Sequence, residues 1–286
     1  MNIDKKNLDK ILFKLKQFFL NKSKRLHDPI FFGKEKKYLL NCINTGFVSS
    51  VGKFVVNFEH KICKITKSKY SIATSSGTAA LHLALHNYEV NENDEVLLPS
   101  FTYVATANSI KYCNATPNFV DIEKTNFGVC PKKLEIYLKK IVKKRGNKSF
   151  NKFSKKRIKA IIVVHVYGLP CKIYEIKKIC KKFNIILIED AAEAVGSYYK
   201  GKHLGTFGDI GILSFNGNKT LTTGAGGSII TNNRDVAKKL KHLSTHTKLK
   251  KRYDHFHDYV GFNYRMNNLS AAVGCAQIEN LKKILI

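Results

Sequence analysis

From Lys69 onward, short apolar runs alternate with stretches in which apolar residues recur at helical spacing. The runs at residues 70–74, 95–99, 118–122, 158–166, 185–189, 210–215 and 228–231 are strand-sized and flanked by polar or Gly-containing segments, which predicts seven β-strands. Helices are expected over residues 78–86, 105–113, 131–144, 173–183 and 235–243. Strands alternating with helices predict an α/β fold built on a mostly parallel seven-stranded sheet flanked by helices. Ahead of this region Leu8, Ile11, Leu12, Leu15 and Phe19 recur at helical spacing with Lys between them, so residues 1–24 read as a basic amphipathic helix. Asp28-Pro29 bounds it, because the residue before Pro disfavours helix; this divides the chain into residues 1–27 and 28–286. The helix is expected to pack on the main domain or on a partner subunit, with a membrane surface as the weaker reading. Residues 139–159 carry many Lys and little periodicity, and read as an exposed, solvated connection.

Composition narrows the class. With 286 residues and 44% hydrophobic content the chain can build one large core, or one domain with a small companion, and is not dominated by disorder. Its apolar stretches, such as residues 160–166, fall far short of the roughly 20 residues a membrane span needs. The polar opening carries no signal-peptide pattern, and no membrane partner is expected. The formal net charge is +29, yet only six of the 50 basic residues are Arg, and the Lys are spread along the chain. That skew matches an AT-rich coding sequence better than nucleic-acid recognition, which favours the bidentate Arg fork, so no nucleic-acid partner is expected. Seven Cys without a CxxC pair or a zinc spacing read as small apolar side chains in a reducing, cytoplasmic compartment, with no metal site.

Three segments could carry chemistry. Thr74-Ser75-Ser76-Gly77-Thr78-Ala79-Ala80 joins a strand to a helix, where free N–H groups make either a phosphate cradle or a simple N-cap. In Ile188-Glu189-Asp190-Ala191-Ala192-Glu193 acids sit at the end of an apolar strand, placed to hold a cationic group or to cap a turn. In Ser214-Phe215-Asn216-Gly217-Asn218-Lys219-Thr220, followed by Gly224-Ala225-Gly226-Gly227, Lys219 could serve as a Schiff-base amine, although spacing alone does not single it out among so many Lys.

Taken in order, these pieces resemble the sugar aminotransferases of the DegT/DnrJ/EryC1/StrS family. The resemblance rests on SSGTAALHLAL, DEVLLPSFTYVATANSI, IEDAAEAVGSYYKGKHLGTFGDIGILSFNGNKTLTTGAGG and VGFNYRMNNLSAAVGCAQIENL, and runs from about Asp28 to the C-terminus. It implies the large domain of a fold-type-I transferase, pyridoxal 5'-phosphate as cofactor, glutamate as amino donor and a nucleotide-linked 4-keto-6-deoxy sugar as acceptor. The wording is nearest the enzymes of the legionaminic acid and bacillosamine type, which act on UDP-linked 2-acetamido sugars; GDP-linked 4-keto-6-deoxymannose, giving perosamine, is the close rival.

The resemblance also implies roles. Lys219 would bond to the cofactor and shuttle a proton, and Asp190 would pair with the pyridine nitrogen. Tyr103 would stack on the ring, and Gly77, Thr78 and Ser214 would hold the phosphate. Asn263, with Arg265 as companion, would reach a neighbouring subunit's site, implying a homodimer with shared active sites. Glu193 stands where many relatives carry Gln near the cofactor's phenolic oxygen. Family members continue into a small C-terminal domain, absent here, which implies a fragment, a truncated gene or a second chain, and exposed apolar surface where that domain would sit. Two alternatives accompany this reading. One is a cofactor-binding remnant without turnover. The other is a deoxysugar dehydratase, against which Lys219 argues, since such relatives carry His there.

Overall fold

The computed structural model describes residues 4–19, 27–249 and 256–285. Its strands are β1 (Tyr70–Thr74), β2 (Asp94–Pro99), β3 (Thr116–Val120), β4 (Val142–Arg145), β5 (Lys148–Asn151), β6 (Arg157–Val164), β7 (Ile186–Asp190), β8 (Tyr198–Tyr199), β9 (Lys202–His203), β10 (Ile210–Ser214) and β11 (Gly227–Thr231). Its helices are α1 (Lys5–Phe19), α2 (Glu35–Thr45), α3 (Lys53–Thr66), α4 (Gly77–Asn87), α5 (Val104–Tyr112), α6 (Pro131–Ile141), α7 (Ile173–Phe183), α8 (Arg234–Leu243), α9 (Asn268–Glu279) and α10 (Leu281–Ile284). Residues 1–3 and 20–24 of the expected N-terminal helix lie outside the described residues.

The seven expected strands form one sheet in the order β1-β11-β10-β7-β6-β2-β3. Among these seven, neighbours are parallel from β10 through β3 and only β11 runs antiparallel, to β1 and to β10; β4 and β5 extend the same sheet, β5 pairing antiparallel with β6. Successive strand residues therefore enter two different cores. Ile188, Ile212 and Val96 face one side with α4, α5 and α8; Leu187, Leu213 and Leu97 face the other with α3, α6, α7 and α9. A sheet covered on both faces explains why its strands read as continuous apolar runs.

Two parts of the sequence reading change. Residues 139–159 are not a plain solvated connection: α6 ends at Ile141, and β4 and β5 pair as a hairpin across Gly146-Asn147. Gly146 has φ +55, the left-handed conformation that such a two-residue turn requires. Lys143, Lys144 and Arg145 stay exposed, while Ser149 and Asn151 are buried. The Asn151 amide donates to the buried Glu95 carboxylate at 3.0 Å, as does Ser154, so the hairpin closes the start of β2. The strand expected over residues 118–122 lies two residues earlier, as β3.

The helices α2, α3 and α9 add a layer that the pattern reading leaves unassigned. In α3, Phe54, Val55, Phe58 and Ile62 are buried at helical spacing. Phe58 meets Phe215 edge-on at 5.0 Å and sits so close to Gly274 of α9 that any side chain there would strike its ring. Phe215 immediately follows β10, so this contact also seats the loop that carries Lys219. Phe58→Ala should lower unfolding free energy by about 3–5 kcal/mol, read as a fall in the urea midpoint.

Candidate active site

Parallel strands bring their carboxyl ends to one edge, where chain segments leave the sheet and backbone groups are free of ladder pairing. A cleft of about 580 Å³ opens there. It is lined by Ser76, Gly77 and Thr78 after β1, by Tyr103 and Thr106 beyond β2, and by His165 and Tyr167 beyond β6. Asp190 and Glu193 at β7, and Ser214 and Lys219 at β10, complete it. Seven of the eight site residues expected from the sequence thus meet in one cavity.

The start of α4 shows both open readings of its sequence at once. Ser76 caps the helix, its hydroxyl accepting from the Ala79 N–H at 3.0 Å. The cap leaves the first N–H groups, at Gly77 and Thr78, with no partner inside the helix. Gly77 is needed for close approach: a Cβ there would lie 3.0 Å from the Ser214 Cβ. Gly227, opening β11, packs against the Ser76 carbonyl so tightly that a Cβ would come within 2.5 Å of it. The result is a cradle of N–H groups and a hydroxyl suited to a phosphate dianion.

At the floor, Asp190 is buried, and its carboxylate accepts from the Thr106 hydroxyl at 2.8 Å and from the Ala192 N–H at 3.2 Å. Burial pushes its carboxyl above the ordinary range, opposed by those hydrogen bonds and by the charge of Lys219. A carboxylate so placed is matched by a cationic N–H in the cleft. The Lys219 ammonium pairs with Glu193 at 2.9 Å, and the second Glu193 oxygen accepts from the Tyr167 N–H at 3.0 Å. Tyr167 adopts φ +52, a left-handed conformation unusual for a bulky residue, and so turns its N–H toward Glu193. Tyr103 is 80% exposed at the mouth, free to cover a flat ligand.

His165, Thr106 and Tyr167 are site residues that the sequence reading omits. His165 and Tyr167 follow β6 at the same strand edge, so the rule that selects Asp190 and Ser214 would also have found them. Behind Asp190 lies a rigid anchor. The fully buried Glu189 accepts from His165 Nε2 at 2.9 Å, Gly205 N–H at 2.9 Å, Phe207 N–H at 2.6 Å and Gly208 N–H at 2.5 Å. The Cys171 N–H donates to His165 Nδ1 at 3.3 Å, which leaves Nε2 as the donor to Glu189. Burial opposes ionisation of Glu189, but the His165 hydrogen bond and the backbone donors outweigh it and hold the carboxyl below its usual range.

Asn263 does not enter this chain's cleft. It is exposed, and its backbone bridges Thr245. Its neighbours run along the end of β1: Tyr264 accepts from the Ser75 N–H at 2.8 Å and Arg265 bridges Thr74, with the Arg265 Nε buried and without a partner.

A phosphate cradle, a buried carboxylate and a reachable amine in one cleft agree with the match of residues 32–285 to the model of the DegT/DnrJ/EryC1/StrS aminotransferase family. The chain belongs to this family. It is 41% identical over 254 residues to GDP-perosamine synthase of Escherichia coli O157:H7, covering 89% of this chain and 65% of that protein. It is 38% identical over 262 residues to a Bacillus subtilis (strain 168) protein, EpsN, named as a pyridoxal phosphate-dependent aminotransferase, covering 92% of this chain and 65% of that one. Among solved structures it resembles Helicobacter pylori PseC, an aminotransferase involved in the biosynthesis of pseudoaminic acid, with a TM-score of 0.79, 27% identity, and coverage of 92% of this chain and 67% of that one. The chain spans about two thirds of the length of the curated relatives it matches. The cofactor of the family is pyridoxal phosphate, and the cradle, Asp190 and Lys219 fit its phosphate, ring nitrogen and aldehyde.

Two outcomes follow for the acids. Glu189→Gln should cost about 2–4 kcal/mol near neutral pH, because an amide presents N–H to backbone donors. A carboxyl lowered on folding contributes stability above its unfolded pKa and loses it as pH falls through the folded pKa, so the gap from wild type, read by urea titration, should close in acid. Asp190 is raised, so its ionised form opposes folding without the cofactor. Asp190→Asn should therefore raise the cofactor-free Tm at pH 7 while weakening cofactor retention at least about tenfold.

Proposed function

We propose that residues 28–286 form the cofactor-binding unit of an aminotransferase that moves an amino group from glutamate to C4 of a nucleotide-linked 4-keto-6-deoxy sugar, with residues 1–27 an appendage to it. The observation that carries this is the convergence of Lys219, Asp190 and the α4 cradle on one cleft at the carboxyl edge of the sheet. Likeness to GDP-perosamine synthase favours a GDP-linked acceptor over the UDP-linked 2-acetamido type expected first from the sequence wording.

Bound pyridoxal phosphate supplies an electron-withdrawing ring that stabilises negative charge on the carbon losing its proton. The protein's part is to hold and aim. The Gly77 and Thr78 N–H groups and the Ser214 hydroxyl take the phosphate. Asp190 accepts the ring N–H, and that cation offsets the cost of burying its carboxylate. Tyr103 covers one ring face. Lys219 would hold the cofactor through its aldehyde carbon and, when its Nζ is free, would move a proton between the substrate carbon and the cofactor carbon. Glu193 keeps that Nζ at the cleft wall whenever it is charged. Asn263, outside its own cleft, is assigned to the cleft of a second copy in a homodimer. A cytoplasmic site of action accords with seven free cysteines.

The test is borohydride reduction of the purified chain with pyridoxal phosphate, followed by peptide mass mapping. Label should fall on Lys219 and vanish in Lys219→Ala, and glutamate added before reduction should discharge it. Label spread over surface Lys, unchanged by Lys219→Ala, would overturn the assignment. Label on Lys219 that glutamate leaves untouched would favour a binding remnant without turnover. Amino-sugar formation from GDP- and UDP-linked 4-keto sugars by the same chain then ranks the acceptors.

A further inference from the structure

The cleft accounts for nothing in α1. Leu8, Ile11, Leu12 and Leu15 lie three and four residues apart, so they form one stripe along this helix. Among the described residues the body leaves the stripe half open: the four side chains are 43%, 53%, 46% and 47% exposed. Lys5 and Lys16 border it on one side and Lys14 on the other, while Lys6 and Lys10 occupy the opposite face; all five are exposed. Acids are fewer: Asp9 lies beside Lys5 and Lys16 on one border, and Asp4 precedes Leu8 by one turn in line with the stripe. Phe13, also exposed, lies off the stripe.

We propose that α1 docks the protein on an anionic phospholipid bilayer, lying in the plane of the interface with the leucine–isoleucine stripe among the acyl chains and the lysines among the headgroups. Charge complementarity selects this occupant. A helix with Lys along both borders of a narrow apolar stripe meets lipid phosphates on each side as the stripe enters the hydrocarbon, to a depth of about 5–10 Å. Each Lys near an anionic surface strengthens the attraction, and the positive charge of the chain as a whole, formally +29, raises its local concentration there. A second copy of α1 would instead bring Lys-rich borders together, with Asp9 the one acid on them to offset the repulsion. Among the described residues no helix is long and apolar enough to cross a membrane, so the contact is one of surface docking. The sequence reading ranks a membrane surface as the weaker partner of this helix and expects no membrane partner for the chain; surface docking reverses that order.

Sedimentation of the full chain with vesicles of equal parts phosphatidylglycerol and phosphatidylcholine tests it, beside vesicles of phosphatidylcholine alone. Binding should be at least about tenfold stronger to the anionic vesicles near 0.1 M salt and fall steeply toward 0.5 M. The double variant Ile11→Asp, Leu15→Asp keeps every Lys of the body and should lose at least about tenfold in binding. Retention by this variant would overturn the proposal, because the body's charge alone would then suffice. The chain contains no Trp, so Leu12→Trp gives a single reporter. Its emission should shift to the blue on adding anionic vesicles, whereas Gln17→Trp, off the stripe, should stay put. An unshifted Leu12→Trp, or a self-association that Ile11→Asp, Leu15→Asp dissolves with no vesicle binding, would assign the stripe elsewhere and overturn it.

Discussion

The buried carboxylate of Glu189 is the constraint on which the site depends. A charge without solvent is tolerated only when donors surround it, and Glu189 collects four, three of them backbone N–H groups from residues 205–208 and the fourth from His165. One side chain thereby ties together the end of β7, the turn after β6 and the loop leading into β10. Asp190 is the next residue along the chain, so its position is inherited from this anchor. The same logic in weaker form closes the far edge of the sheet, where Glu95 collects Asn118, Asn151 and Ser154.

On that frame the cleft is built from mismatched needs. Asp190 is buried where burial disfavours ionisation of its carboxyl, and Lys219 rests against Glu193 rather than against Asp190. The first helical N–H groups of α4 face open space. Each is a local cost or an unmet valence that a phosphorylated, cationic, carbonyl-bearing ligand would satisfy at once. Preorganisation of this kind places the stabilisation where the ligand arrives instead of in the empty protein.

The surface follows a different rule. With 50 basic residues against 21 acidic ones, basic groups far outnumber the acids that could pair with them, and isolated surface pairs contribute little. The hairpin of β4 and β5 shows how such a segment still folds: its outward residues are Lys and Arg, while Ser149 and Asn151 turn inward to polar partners. In α1, among the described residues, the body leaves the apolar stripe half-exposed beside its lysines.

Sequence alone determined the alternation of strands and helices, since burial on both faces of a sheet writes long apolar runs that need no tertiary knowledge to read. It also marked Asp190, Ser214 and Gly77, because residues at strand ends and helix starts face the functional edge whatever the details. Lys219 could be singled out only by resemblance, for nothing local distinguishes one Lys in a loop from its many neighbours. The hairpin was legible in Gly146-Asn147, but the dense Lys around it hid the signal. Only the tertiary structure decided that Glu193 meets Lys219, that His165 serves Glu189 rather than Asp190, and that Asn263 stays out of its own cleft. Those pairings join residues 20 or more positions apart, and their distances are fixed by sheet order and loop paths, which the period of hydrophobic residues does not encode.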